Sequence, residues 1–364
     1  MDEEIRALNA KMKAQMDGLD LYKQQLILQV SKMSIQHRFK VNYLNLVDNW
    51  YLKNKQQLQE QYNKLLQEIY NKYKPKPDTQ TQPSADTQQT QPSADTQAQQ
   101  TQPSADTADN KKACLIGINY TNTQHELQGC VNDVMNLKKM LETKYNYNPK
   151  NIKTIINAQA TRNTILQSFI SLLKNANAGD ILFFSYSGHG TYTKDRSGEE
   201  LDGKDELLVS VDNYAIFDDE LKRILDAYLK PDVKLFTLFD NCHSGTILDL
   251  PYQYFKTSAS QSNKPIIHPK CRETKGQVIC LSGCRDDQES IDVYIGNEYT
   301  GAMTRTFIDV LSQHDKSSSS SSSSIHWNTF IEELRLMLKL RGFNQVPQLT
   351  CGNKTDFTSK NVEF

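Results

Sequence analysis

The stretch VKLFTLFDNCHSGT, residues 233–246, is an apolar run that breaks off into aspartate, asparagine, cysteine, histidine, serine and glycine. Seven residues with almost no polar interruption read as a strand buried on both faces, which belongs in a parallel sheet covered by helices. Such sheets place their chemistry at the carboxyl ends of the strands. A second stretch has the same form. DILFFSYSGHG, residues 180–190, is apolar until it runs into a glycine-flanked loop holding Ser187, Gly188, His189 and Gly190.

Strands and helices alternate around these two. Strands are expected at 113–120, 152–156, 206–212, 277–283 and near 347–351. Helices are expected at 131–145, 161–176, 218–229, 301–313 and 327–340, with Thr161 as an N-cap. The pattern predicts an α/β fold with a mainly parallel central sheet and helices on both sides.

The chain before this domain has a different texture. Residues 2–74 hold one glycine, Gly18, and no proline, and apolar residues recur at spacings of three and four from Ile5 to Ile69. That periodicity predicts amphipathic helices that form a coiled coil or small bundle, or that pack on the rest of the chain, with an aromatic middle near Tyr43 and Trp50 suited to a helical hairpin. Pro75 and Pro77 end the pattern. TQPSADT then occurs three times, from Thr81, Thr90 and Thr101. Sequence of this kind cannot build a core, so residues 75–110 are expected to be a disordered linker. Eight serines at 317–324 read as a surface loop. The expected domains are therefore 1–74, 75–110 and 111–364.

Bulk properties bound the function. Net charge is −1, from 42 basic and 43 acidic residues, which argues for neither nucleic acid nor a membrane surface as partner. Apolar content of 37% suits a folded part diluted by polar segments. No run approaches the roughly 18 apolar residues of a membrane span. Seven cysteines without regular spacing suit a reduced, cytoplasmic protein. Residues 1–74 are candidates for self-association or for a partner helix.

If the two reactive strands are neighbours, His189 and Cys242 share one edge of the sheet. A free thiol near pKa 8.5 is a weak nucleophile at neutral pH, and an imidazole activates it. His243 is the rival partner. Adjacent residues of an extended segment point to opposite sides, so the pairing expected is Cys242 with His189. Ser244 lacks the G-x-S-x-G context of a serine hydrolase. Cys242, His243 and His189 lack zinc spacing and a fourth ligand. Cys280 and Cys284 are not expected to bind metal.

SYSGHGT, DGKDELLVSVD, IFDDEL, FDNCHSGTILDLPY, LSGCRDDQES and GAMTRTFIDVL together resemble the metacaspases, caspase-fold cysteine peptidases of clan CD, family C14. The resemblance runs from about 112 to 352. It implies a caspase-like three-layer sandwich with a large-subunit-like part at 111–255, a junction at 256–276 and a small-subunit-like part at 277–364. The short junction and the leading pro-region resemble type I members, although this pro-region has no cysteines. The resemblance implies His189 as general base and acid, Cys242 as nucleophile, and the amides of Gly190 and Cys242 as the oxyanion hole. It further implies an acidic pocket for the residue before the cut (P1), from Cys130, Asp133, Ser187 and Asp240, taking Arg or Lys of a protein or peptide substrate. Calcium is the implied activator, through Asp205, Asp218, Asp219 and Asp249, with no organic cofactor. An enzyme that cuts after Arg or Lys can process itself, and the exposed sites expected are Lys111, Lys112, Lys256, Lys270, Arg272 and Lys275. Two other readings remain open: a caspase-fold scaffold acting through its N-terminal helices, and a peptidase with another P1 preference.

Overall fold

A computed structural model describes residues 2–32, 37–72, 110–194, 203–242, 244–254, 265–283, 292–295, 298–314 and 325–364. His243, Lys256, Cys284, the poly-serine tract and nearly all of the expected linker lie outside the described residues. The chain divides into two units, Met1–Ala105 and Asp106–Phe364.

The first unit is built from α1 (Asp2–Lys32) and α2 (His37–Lys72). They run antiparallel. Tyr51 Oη donates to Asp20 at 2.6 Å, Tyr62 Oη to Asn9 at 2.5 Å, and Lys72 pairs with Glu4 at 2.6 Å. Leu26, Val30, Tyr43 and Val47 are buried, all near the turn, and Trp50 packs edge-on against Tyr22. This is the hairpin the aromatic middle predicts.

The second unit is organised by an eight-stranded sheet. Its strands are β1 (Lys111–Gly117), β2 (Ile152–Ile156), β3 (Ile181–Ser187), β7 (Lys234–Asp240), β8 (Tyr252–Gln253), β9 (Ile266–Ile267), β10 (Gln277–Ser282) and β13 (Gln348–Cys351). The order is β2-β1-β3-β7-β10-β13-β8-β9. The five strands from β2 to β10 are parallel, and β13, β8 and β9 are joined to them by antiparallel pairings.

Both faces of the parallel strands are buried, which is why they read as continuous apolar runs. Phe184 packs on Phe169 of α4 (Arg162–Lys174), 4.7 Å between ring centroids. Its neighbour Phe183 points the other way, toward Phe236 and Phe364. Phe236 in turn stacks on Phe307 of α6 (Ala302–Gln313) and Trp327 of α7 (Trp327–Leu340). Helices α4 and α5 (Asp218–Tyr228) pack together, as do α6 and α7, and α3 (Cys130–Lys144) packs on β1 and α6. Thr161 caps α4 as expected, accepting from the Thr164 amide.

One strand departs from expectation. Residues 206–212 read as a strand of the main sheet, but β5 (Lys204–Val209) forms a separate three-stranded antiparallel sheet with β4 (Gly190–Lys194) and β6 (Ala215–Phe217). Its buried leucines, Leu207 and Leu208, give the apolar signal, because this small sheet rests on the core rather than facing water. Two short strands, β11 (Asp292–Ile295) and β12 (Glu298–Gly301), form a hairpin that leads into α6. Among the described residues no helix is long and apolar enough to cross a membrane.

Candidate active site

Strands β3 and β7 are direct neighbours, paired in parallel with Ser187 opposite Asp240. His189 and Cys242 each lie two residues beyond that matched pair, so the two reactive segments leave the sheet side by side. Gly190 shows how closely they approach. A Cβ there would lie 2.1 Å from Asn241 Nδ2 and 2.3 Å from the carbonyl oxygen of Cys242. Only glycine fits that contact. Gly190→Ala is expected to push the two segments apart and cut turnover at least about tenfold, because a misplacement near 1 Å is already costly. Kinetics on any accepted peptide check this.

The imidazole of His189 is held in one orientation. Its Nε2 lies 2.6 Å from the backbone oxygen of His125. A carbonyl oxygen only accepts, so Nε2 carries the proton and Nδ1 is left as the basic nitrogen. The Tyr120 ring packs against the imidazole, with centroids 4.6 Å apart. The backbone is pinned as well. His189 N–H donates to Tyr120 Oη at 3.0 Å, and Val209 N–H donates to His189 O at 3.1 Å. Tyr186 Oη lies 2.9 Å from that same carbonyl and 3.0 Å from Tyr120 Oη. Burial keeps both phenols protonated, raising them above their ordinary value. Cys242 is half-exposed and is not in a disulfide. Ser244 is buried and donates to Asn241 O, which suits a structural hydroxyl.

Beside the pair lie two buried carboxylates. Asp133 is buried and accepts from Ser187 Oγ at 2.6 Å, Thr300 Oγ1 at 2.5 Å and the Gly301 amide at 2.9 Å. Asp240 accepts from the amide and hydroxyl of Thr304, both at 2.8 Å. A Cβ on Gly301 would lie 2.2 Å from an Asp240 oxygen and 2.8 Å from an Asp133 oxygen, so the two carboxylates converge on that glycine. Burial, and then the charge of Asp240, push the Asp133 carboxyl up to about 8, against the pull of its three donors. Cys130 is buried one helical turn before Asp133 and lies near Tyr120 and Tyr186.

Three of the four carboxylates assigned to calcium come together. Oxygens of Asp218, Asp219 and Asp249 all lie within 4.8 Å of one another. Asp218 sits at the start of α5, and its oxygens accept from the Glu206 and Asp219 amides. Burial raises its carboxyl to about 7, and the charge of Asp205 adds to the shift. Asp249 adopts left-handed backbone, φ 44°, in a turn closed by its own amide on Thr246 O. Asp205 is not in the three-carboxylate cluster, but its charge reaches Asp218. Hard oxygen ligands gathered this closely fit a calcium ion.

The processing candidates separate. Lys111 and Lys112 open β1 inside the sheet, paired with Ile181 and Leu182. Lys111 Nζ donates to Tyr145 O and Phe364 O, and Lys112 pairs with Asp180. A peptidase cleft needs a free extended segment, so the expectation of exposed cutting sites there is corrected. Lys270, Arg272 and Lys275 are exposed, between β9 and β10. The chain beside Lys275 is tied down, since the Thr274 amide donates to Gly352 O and its hydroxyl to Gly276 O.

The sequence reading missed Tyr120, the His125 carbonyl, Thr300, Gly301 and Thr304. The last two lie in GAMT, a motif noted but given no role. A backbone carbonyl leaves no side-chain signal at all.

A family model described as "Metacaspase, peptidase C14 domain" matches residues 111–251. The curated metacaspase-1 of Schizosaccharomyces pombe is 33% identical over 298 residues, 68% of this chain and 68% of that protein. The metacaspase-1 of Ajellomyces capsulatus is 33% identical over 293 residues, 67% of this chain and 80% of that protein. Among solved structures, caspase-1 from Spodoptera frugiperda aligns with TM-score 0.41 and 13% identity, over 66% of this chain and 86% of that one.

Proposed function

The chain belongs to the metacaspase family of cysteine-type endopeptidases, and from that premise we propose that it cleaves proteins after Arg or Lys through Cys242 and His189, stimulated by calcium and able to process itself. The observation that carries this reading is the matched exit of β3 and β7, with Gly190 packed against the Cys242 carbonyl.

In the proposed reaction the Cys242 proton passes to Nδ1 of His189 as the sulfur adds to the scissile carbonyl carbon. The amides of Gly190 and Cys242 would stabilise the oxyanion. The C–N bond breaks as His189 returns the proton to the departing amine, leaving a thioester. His189 then deprotonates the water that releases the acid. The His125 carbonyl steadies the imidazolium formed in each half. Asp133, Ser187 and Asp240 would receive the cationic side chain, with Cys130 behind them.

Asp218, Asp219 and Asp249 would hold calcium, with Asp205 as a nearby charge. Bound there, the ion would supply positive charge that draws these carboxylates together. Matched peptides ending in Arg, Lys or Asp, assayed with calcium and with a chelator, test the proposal. Arg and Lys peptides are expected to turn over, at least about tenfold faster with calcium, and the Asp218→Asn, Asp249→Asn double variant is expected to lose the stimulation. Turnover of the Asp peptide alone would favour another P1 preference. No turnover of any peptide would favour the scaffold reading.

Self-processing is expected after Lys270 or Arg272, in the exposed stretch before β10, and not after Lys111 or Lys112. Sequencing the new N-termini after incubation with calcium checks this. Fragments beginning at Lys112 or Ala113 would contradict it.

A further inference from the structure

A second thiol and imidazole meet far along the chain from the first. His268 follows β9, is 4% exposed, and has its backbone fixed by donating to Pro251 O at 2.8 Å. Cys271 Sγ lies 3.1 Å from its Nδ1, and the Lys270 amide lies 3.4 Å from the same nitrogen. Both neighbours are donors, so Nδ1 is the unprotonated nitrogen and accepts from the thiol. The proton is then on Nε2, which is buried and has no hydrogen-bond partner among the described residues. Burial, and then Lys270, lower the pKa of this imidazole, so it stays neutral and available as a base at neutral pH.

The thiol differs from the others around it. Cys114, Cys130, Cys280 and Cys351 are buried, whereas Cys271 is half-exposed. Burial also pushes the thiols of Cys280 and Cys351 up to about 11 and that of Cys114 to about 12. Lys270 and Arg272, both exposed, flank Cys271. Positive charge beside a thiol favours its thiolate and draws anionic reagents.

We propose that Cys271 and His268 form a second reactive site, which takes anionic small disulfides such as oxidised glutathione and holds half of the molecule as a mixed disulfide. The Cys271 sulfur attacks one sulfur of the reagent while its proton moves to Nδ1 of His268. A new S–S bond forms and the reagent's own S–S bond breaks. The leaving thiolate takes the proton and departs as a thiol. Cys271 is oxidised to the disulfide level, and the departing half is reduced.

The test uses the full chain carrying Cys242→Ala, so that neither proteolysis nor the first thiol contributes. It is incubated with oxidised glutathione, quenched with acid and mapped by peptide mass spectrometry, folded and in urea. The folded chain is expected to gain its adduct at Cys271 first, at least about tenfold faster than Cys271 of the unfolded chain, where the pairing is gone. His268→Gln should remove that advantage, and an uncharged disulfide should react more slowly than glutathione. Equal rates at Cys271 in folded and unfolded chains overturn the proposal. An adduct that forms first at another cysteine, or a rate untouched by His268→Gln in a chain that still melts cooperatively, does the same.

Discussion

Cys242→Ala is expected to abolish peptide cleavage, by on the order of 10⁴-fold or more, since removing a nucleophile leaves only what binding and the oxyanion hole contribute. The fold should hardly notice. Cys242 is half-exposed, so its loss should change stability by no more than about 0.5 kcal/mol. His189→Ala should lose about 10² to 10⁴-fold, the usual worth of a general acid–base group. The two losses should not add, because each residue acts through the other. Tyr120→Phe is the graded case. It keeps the ring against the imidazole but removes the hydroxyl that accepts from the His189 amide. A lowered kcat with an unchanged KM is expected, since a positioning contact of this kind acts on the reacting imidazole and not on the substrate. Full turnover by Cys242→Ala would remove the dyad from the account.

What the sequence made legible follows from range. His189 and Cys242 follow the ends of two apolar runs, and a parallel pair needs only those runs to bring its ends together. Asp218 and Asp219 were legible as a carboxylate pair at a helix start, a local feature. Thr300, Gly301 and Thr304 were not, because they reach Asp133 and Asp240 only across 167, 168 and 64 residues of chain. Residues 206–212 misled for a related reason. Burial of Leu207 and Leu208 gives the same apolar signal in a small sheet resting on the core as in the central one. Lys111 and Lys112 were read as exposed because they follow polar repeats, but a strand can begin with lysines whose ammonium groups find carbonyls or a carboxylate.

Asp133→Asn and Asp240→Asn should separate the proposed P1-pocket role from a capping role. Both carboxylates sit at the start of α6, accepting from the amides of Gly301 and Thr304, so each serves as a cap of that helix. A cap alone would cost about 0.5–2 kcal/mol on removal and leave substrate preference untouched. The raised Asp133 carboxyl argues for more. Two buried acids converging on one glycine disfavour double ionisation, and a guanidinium or ammonium brought between them relieves that conflict. Removing either charge should therefore lower kcat/KM for Arg peptides on the order of a hundredfold, within the range for breaking a desolvated charge pair. The sign with pH follows from the direction of the shift. Folding favours the protonated form of Asp133, so its contribution to stability is fully present below about pH 4 and is lost as pH rises through about 8. Binding a cationic side chain favours the ionised form and expels the proton. The ratio of kcat/KM for an Arg peptide to that for a poorer, uncharged one should therefore climb from pH 6 to 8, any pH dependence common to both peptides cancelling in the ratio. In Asp133→Asn the ratio should be low and flat, and the fall in melting temperature over that interval should shrink. A ratio that stays high in both variants would reduce these carboxylates to caps and move the choice of P1 residue elsewhere in the cleft.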